Sequence, residues 1–289
     1  MYENNKQAYG HVIKQPRATV CNGHAEFCTR SYGNVLAANQ EINVTAQLEL
    51  GVRLLQAQSH LFSRAVLIYI LLPEKMGYYI SATLLLFDGG TVQDYLTNVK
   101  SFLVDNPTEV VTLLFTNPDG VNVTVWDSVF KAAGVDQLAF IPESVPVKQS
   151  DWPTLGDLID DGKQIVVFMD SDADPDLVPY ILPEFEMIWE TPFDSTDSSF
   201  PCSVNRTAGP LAQTDHMNCL NHFLDIDILS VLIPDKLQAA TTNGMTSVLD
   251  DAAGCAPLNG GRNPNFILAD WVDIGQLIQT AALLNNVAS

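Results

Sequence analysis

The sequence predicts an α/β fold built as a single parallel β/α barrel. Three observations carry this. First, short apolar runs rich in β-branched residues recur along the chain, and each ends abruptly in a polar side chain: residues 164–170 (Q-I-V-V-F-M-D), 110–117, 187–190, 219–225 and 266–270. They do not alternate in polarity, so they suit strands buried on both faces. Second, helical patterns stand between them. Leu155, Leu158 and Ile159 precede the run at 164, and Gly162 supplies the break between helix and strand. Third, the length of 289 residues is ordinary for one barrel of about 250 residues. Parallel strands that end in polar residues place the chemistry at their carboxyl ends.

Taken in order, residues 1–20 are polar and patternless and predict a loose arm, with the domain running over 21–289. A short helix is expected over 43–51, with Val44, Leu48 and Leu50 facing inward, followed by a strand over 53–60. The segment 61–87 holds two apolar patches, 65–72 and 80–87, divided by Pro73-Glu74-Lys75. Neither reaches the roughly 20 apolar residues of a membrane span, so both read as buried core. Thr91 opens a helix as its N-cap, with Asp94 near the positive helix end. Val92, Tyr95, Leu96, Val99, Phe102 and Leu103 form its apolar face, and Asn106-Pro107 ends it. A second helix spans 123–133 and stops at Gly134. Residues 178–185 read as a short helix or turn, and 195–215 as a long Ser/Thr-rich surface loop. Helical stretches around 236–240 and 247–253 and a closing helix through Leu277, Ile278, Ala281, Ala282 and Leu284 complete the chain.

Composition narrows the function. A net charge of -20 with only 14 basic residues disfavours nucleic acid and any anionic membrane held by charge alone. No transmembrane segment is expected, and a monomer is the expected state. Of the five cysteines, Cys21 and Cys28 are close enough to close a small loop, and Cys202 and Cys255 to staple the last third. Cys219 lies inside an apolar run and reads as a buried free thiol. Three sequons, at Asn43, Asn122 and Asn205, together with the disulfide candidates favour secretion. The N-terminus M-Y-E-N-N-K-Q has no apolar signal core. Either a leader was removed or this is not the natural start.

The chain lacks a G-x-S-x-G elbow, a Walker loop, G-x-G-x-x-G and H-E-x-x-H. No metal site is expected. Asp170, Asp172, Asp174 and Asp176 have the alternation of a calcium loop, but Pro175 stands where the turn glycine belongs and Ile181 where the bidentate Glu belongs. A solvated acidic loop is the better reading, with calcium the weaker alternative. His216, Cys219 and His222 cannot converge on a metal if they share a strand, because Cys219 faces away from both histidines. His222, beside Asn221, reads as a pocket-lining or a hydrogen-bonded structural residue. Asp170, Glu190 and Asp270 each end a predicted strand. Facing carboxylates on a barrel rim would serve glycoside hydrolysis.

The wording of the sequence says more than its periodicity. Residues 21–35 (C-N-G-H-A-E-F-C-T-R-S-Y-G-N-V), 43–60, 88–96 (D-G-G-T-V-Q-D-Y-L), 106–117, V-V-F-M-D, 190–200 (E-T-P-F-D-S-T-D-S-S-F) and 221–227 (N-H-F-L-D-I-D) resemble secreted fungal proteins of the phosphatidylinositol-specific phospholipase C X-domain superfamily. The resemblance covers almost the whole chain from Cys21 onward. It implies a single distorted TIM barrel and a PLC-like phosphoric diester hydrolase acting on a phosphoinositide-like substrate without a nucleotide cofactor. In that family two histidines share the proton transfers, and an arginine or a calcium ion balances the developing charge.

This chain departs from the family at both histidines. The stretch bearing the first is missing where residues 35–38 run straight into Asn39-Gln40, and Ser81 stands in place of the second. The basic residue of the bacterial relatives falls near Gln58. The polar rim residues that match are Gln58, His60, Asn117, Asp170, Asn221, His222 and Asp270. The first barrel strand is expected to be missing or replaced, with 65–72 as the candidate replacement. Losing both pieces while the match from Asp88 onward stays intact reads as junction errors in the coding sequence; a true pseudoenzyme is the alternative. The resemblance therefore implies a family member with impaired activity. A non-catalytic barrel that binds a phospho-inositol or sugar, and a glycoside hydrolase, stand as the other readings.

Overall fold

The computed structural model describes residues 20–22, 39–62, 77–80, 91–229 and 231–286. In chain order the elements are β1 (Val20–Asn22), α1 (Val44–Leu50), β2 (Leu54–Phe62), β3 (Gly77–Ile80), α2 (Val92–Asp105), β4 (Val111–Thr116) and α3 (Val123–Ala133). There follow α4 (Leu155–Asp160), β5 (Ile165–Met169), β6 (Ile181–Pro183), β7 (Ile188–Glu190), β8 (Met217–Asn221), β9 (Asp225–Ile228) and β10 (Val231–Pro234). The chain closes with α5 (Ala239–Thr242), α6 (Met245–Cys255), β11 (Phe266–Ala269) and α7 (Leu277–Leu284).

Eight strands run parallel in the ladder order β6-β5-β4-β2-β1-β11-β8-β7. That order is a barrel read around its circumference, opened between β6 and β7. β3 adds antiparallel to the far end of β2, and β9 with β10 forms a separate hairpin. The place of the first barrel strand is filled by Val20–Asn22, paired with Leu54 to Gln56 on one side and Leu268 to Ala269 on the other. Residue 20, assigned to the arm on sequence, thus belongs to the sheet. Residues 65–72, the expected replacement, lie outside the described residues. Residues 181–183, read as helix or turn, form β6, which pairs in register with Val167 to Met169.

Strand periodicity divides the core into two layers. Leu55, Val111, Leu113, Phe115, Ile165, Val167 and Met169 face outward onto the helices. The apolar stripe of α2 predicted from spacing is buried there, and Phe115 packs against Trp126 of α3 with ring centroids 5.1 Å apart. Leu54, Leu114, Val166, Phe168, Leu182, Ile188, Met217, Cys219 and Leu268 face inward and fill the barrel. The caps follow the sequence signals: Thr91 Oγ1 accepts from the Asp94 amide at 3.0 Å, and Gly134 ends α3 in the left-handed region. Leu50 departs from expectation and is exposed. Two residues beyond Leu48 is about 200° around a helix, which turns Leu50 to solvent.

At the amino end of β2, Arg53 is buried in an ion pair with Glu109, Nε to Oε2 2.9 Å. Its Nη1 donates to the carbonyls of Leu48 and Val52, and its guanidinium lies over the Phe102 ring. Removing one partner strands the other charge in the core. Arg53→Ala is therefore expected to destabilise the fold by about 3–5 kcal/mol, read as a lowered urea midpoint. A loss below about 1 kcal/mol, typical of an exposed pair, would show that Glu109 finds water or another partner.

Candidate functional site

The inward face changes character at the carboxyl end of the strands. On β5 the inward residues run Val166, Phe168, Asp170; on β6, Leu182, Glu184; on β7, Ile188, Glu190; on β8, Met217, Cys219, Asn221. Glu184 opens a short 3-10 turn directly after β6, and Glu190 is in register with Cys219. One step of the two-residue period thus replaces an apolar layer with a polar one around the mouth.

Glu190 is the centre of this layer and is 1% exposed. Its Oε2 accepts a hydrogen bond from Nη2 of Arg206, forming an ion pair, and a second from Asn221 Nδ2 at 3.2 Å. Asn221 is held in turn by the Thr191 carbonyl at 2.7 Å. The Arg206 guanidinium lies over the rings of Phe185 and Phe193, at 5.1 and 4.5 Å, so its position is set by two aromatic faces as well as by charge. The neighbouring carboxyl, Glu184, is 2% exposed. Burial, and then the charge of Glu190, push its titration well above the usual carboxylate range, with Arg206 opposing. Glu184 therefore favours its protonated form more than an exposed carboxyl does. Beneath them the free Cys219 thiol is pushed up by burial first and by the Glu190 charge second, which makes it a packing residue rather than a nucleophile.

Of the residues singled out on sequence, Asp170, Glu190, Asn221 and Asp270 line or border this mouth. Asp170 Oδ1 accepts from the Asn117 amide at 2.8 Å and from Ser171 Oγ at 2.9 Å. Asp270 is buried at the end of β11. Gln58 is the last residue of β2 paired with β4 and is exposed. Asn117 is turned into its own loop, where its amide bonds both ways with Val121. His60 is described in backbone only, paired with Tyr79, and Ser81 lies outside the described residues. In the acidic loop Asp174 Oδ1 accepts from the amides of Asp176 and Leu177, so it caps a turn.

His222 is fully buried. Nδ1 is 2.7 Å from Asp251 Oδ2, Nε2 is 2.8 Å from the Thr242 carbonyl and 3.3 Å from Ser247 Oγ, and Phe200 stacks on the ring. His216, at the amino end of β8, sits between the carbonyls of Ala212 and Ala208. Both imidazoles are enclosed by acceptors and neither faces the mouth. Cys202 and Cys255 form a disulfide; the side chains of Cys21 and Cys28 are outside the described residues.

Sequence reading missed Glu184 and Arg206. Glu184 had a signal: Tyr180-Ile181-Leu182-Pro183-Glu184 is the same apolar run ending in a carboxylate, shortened by a proline. Arg206 had none, because it reaches the mouth from a loop.

Fold and site together define a distorted parallel α/β barrel with a partly exposed cation and buried carboxyls at the carboxyl end of its strands. The family model described as PI-PLC X 1 matches residues 27–285. An uncharacterized secreted protein of Arthroderma benhamiae is 37% identical over 295 residues, covering 92% of this chain and 64% of its own length. PI-PLC X domain-containing protein 1 of the same fungus is 36% identical over 287 residues, covering 93% and 90%. Among solved structures, phosphatidylinositol-specific phospholipase C from Listeria monocytogenes superposes with a TM-score of 0.56 at 14% identity, covering 99% of this chain and 97% of that one; at that identity the likeness is one of fold. The chain belongs to the PI-PLC X domain family.

Two carboxyls titrate above the usual carboxylate range. Asp225, next to the mouth, is raised to about 6 by burial and by the charge of Asp194. For a raised acid the folded state holds its proton after the unfolded state has released it, so stability falls as pH climbs from about 4. For Asp225→Asn, the stability gain over wild type should grow between about pH 4 and pH 6 and stay constant above. For Glu184→Gln the gain should likewise grow as pH rises above about 4. Urea melts at a series of pH values read both; a gain that does not change with pH would show that the group is ordinary in the folded state.

Proposed function

We propose that this chain is a phosphodiester-binding barrel of the phospholipase C X type, taking a phosphoinositide-like headgroup at its mouth, with impaired cleavage. The observation that carries the reading is Arg206, held between two aromatic rings at the rim. A guanidinium so positioned is preorganised for a phosphate oxygen. Its side chain is 29% exposed, so the guanidinium is reachable from the mouth. Asn221 and Asp170 add acceptors for hydroxyl groups. The impairment rests on proton transfer. Of the family's two histidines one stretch is missing and Ser81 replaces the other, and the two described imidazoles are enclosed elsewhere.

A glycosidase finds less support. Glu190, one of the rim carboxyls it would use, is 1% exposed and its Oε2 is engaged by Arg206 and Asn221, which leaves it poorly placed to act as nucleophile or base. Secretion and glycosylation belong to the same proposal. Asn122 and Asn205 are exposed, and Asn122 Oδ1 accepts from Thr124 Oγ1, which leaves its Nδ2 open to a glycan.

Calorimetric titration with inositol 1-phosphate tests the reading. Wild type is expected to bind, and Arg206→Lys, which keeps the charge but loses the planar fork, to bind about tenfold more weakly. Cleavage of phosphatidylinositol is expected to be undetectable. Absence of binding up to millimolar ligand, or unchanged binding in the variant, would remove the headgroup reading; turnover by the wild-type chain would remove the impairment.

A further inference from the structure

Asp225 differs from the buried carboxyls around it. It is 6% exposed at the start of β9, yet among the described residues its carboxylate accepts no hydrogen bond and forms no ion pair. Glu109, Glu190 and Asp251 are each matched, by Arg53, Arg206 and His222. Lys236, the nearest cation along the chain, is taken by Glu41. The charge that bears on Asp225 is a like charge, that of Asp194. The backbone holds these two carboxyls together: the Asp225 amide donates to the Ser195 carbonyl at 2.8 Å, and Ser195 is bridged to Leu224. Asp194 is exposed. Phe193 before it is 45% exposed and has the Arg206 guanidinium 4.5 Å from its ring centre. One cation and two carboxyls without a counter-charge of their own thus lie side by side at the rim.

A carboxylate nine-tenths buried calls for a donor or a cation, and a second carboxylate beside it sharpens the need. Burial and the Asp194 charge raise Asp225 only to about 6, so at neutral pH it is ionised and lacks a counter-charge. We propose that Asp225 and Asp194 form an ammonium subsite beside Arg206, so that the mouth selects phosphodiesters whose alcohol carries a primary amine a few bonds from phosphorus. The phosphate contact is the one already proposed for Arg206, on which this subsite rests; the amine is the new element of the ligand. Three features select it. A primary ammonium donates three hydrogen bonds, and Asp225 has none. The exposed ring of Phe193 offers a cation an aromatic wall. A phosphodiester with one amine is neutral overall, so it approaches a chain of net charge -20 without working against the field that an anion meets. A divalent cation asks for six or more oxygens, which two carboxylates do not supply.

Calorimetric titration at neutral pH with three soluble phosphodiesters is the test. Glycerophosphoethanolamine carries a primary amine, glycerophosphocholine a quaternary one and glycerophosphoglycerol none. Wild type should bind the first about tenfold more tightly than the third, and more tightly than the second, which has no N–H to donate. Asp225→Asn should bring the ratio of first to third close to one. Asp194→Asn, at an exposed position, should lower it severalfold, and both variants should keep the wild-type circular dichroism. Arg206→Lys should weaken all three alike and leave the ratio as it is. Equal wild-type affinity for the first and third, or an unchanged ratio in Asp225→Asn, would overturn the subsite and leave the phosphate contact standing. Glycerophosphocholine bound as tightly as glycerophosphoethanolamine would overturn the hydrogen-bonded amine. Binding of inositol 1-phosphate but of none of the three would also remove the subsite alone, whereas no binding of any of them up to millimolar ligand would remove both readings.

Discussion

The Glu190 carboxylate is buried at the one place where the barrel ladder is open, and much of the region from 170 to 222 is arranged to neutralise it. An uncompensated carboxylate there would cost several kcal/mol. The compensation is a cation from Arg206 and an amide from Asn221, and the neighbouring Glu184 is pushed toward its neutral form. The backbone supports the first of these. β7 lacks β6 as a ladder partner, and residues 205–208 take that place. The Glu190 amide donates to the Arg206 carbonyl at 2.9 Å, and the Ala208 amide to the Phe185 carbonyl at 2.7 Å. The loop that delivers the cation is thus the same segment that plugs the seam, and loss of either would undo the other.

That coupling explains why a long Ser/Thr-rich connection is ordered. Cys202 is bonded to Cys255 across 53 residues, tying the connection to the carboxyl end of α6. Closing a loop of that size removes conformational freedom from the unfolded chain, on the order of 4 kcal/mol in the entropic account. His216 works on the same loop from below, spanning the Ala212 and Ala208 carbonyls. The bridge, the imidazole and the ion pair all act on residues 202–216, so the position of Arg206 is overdetermined, as preorganised binding requires.

The barrel was legible because its signal is local. Apolar runs ending in a polar residue mark strands whose inward face turns polar at the mouth, and β4, β5, β7 and β11 follow that rule. β6 was lost because Pro183 cuts the run to three residues, too short for periodicity to show. The hairpin was lost for the opposite reason: residues 219–225 read as one strand, whereas β8 ends at Asn221 and Asp225 opens a new ribbon. Among site residues, those at strand ends could be read and Arg206 could not. Its role depends on a loop crossing the seam, and no residue near it in sequence records that crossing.

His222 marks a different limit, where residue types suggest chemistry that the proton positions forbid. Ser247, His222 and Asp251 have the contacts of a nucleophile triad, with Ser247 Oγ 3.3 Å from Nε2 and Asp251 Oδ2 2.7 Å from Nδ1. A triad needs an Nε2 lone pair directed at the hydroxyl. Here the Thr242 carbonyl lies nearer, at 2.8 Å, and a carbonyl can only accept, so Nε2 must carry hydrogen and donate. The ring is then a strut between Asp251 of α6 and the end of α5, covered by Phe200. It fixes α6, and through Cys255 the loop bearing Arg206. This constellation, catalytic by residue type, therefore acts on the mouth through structure.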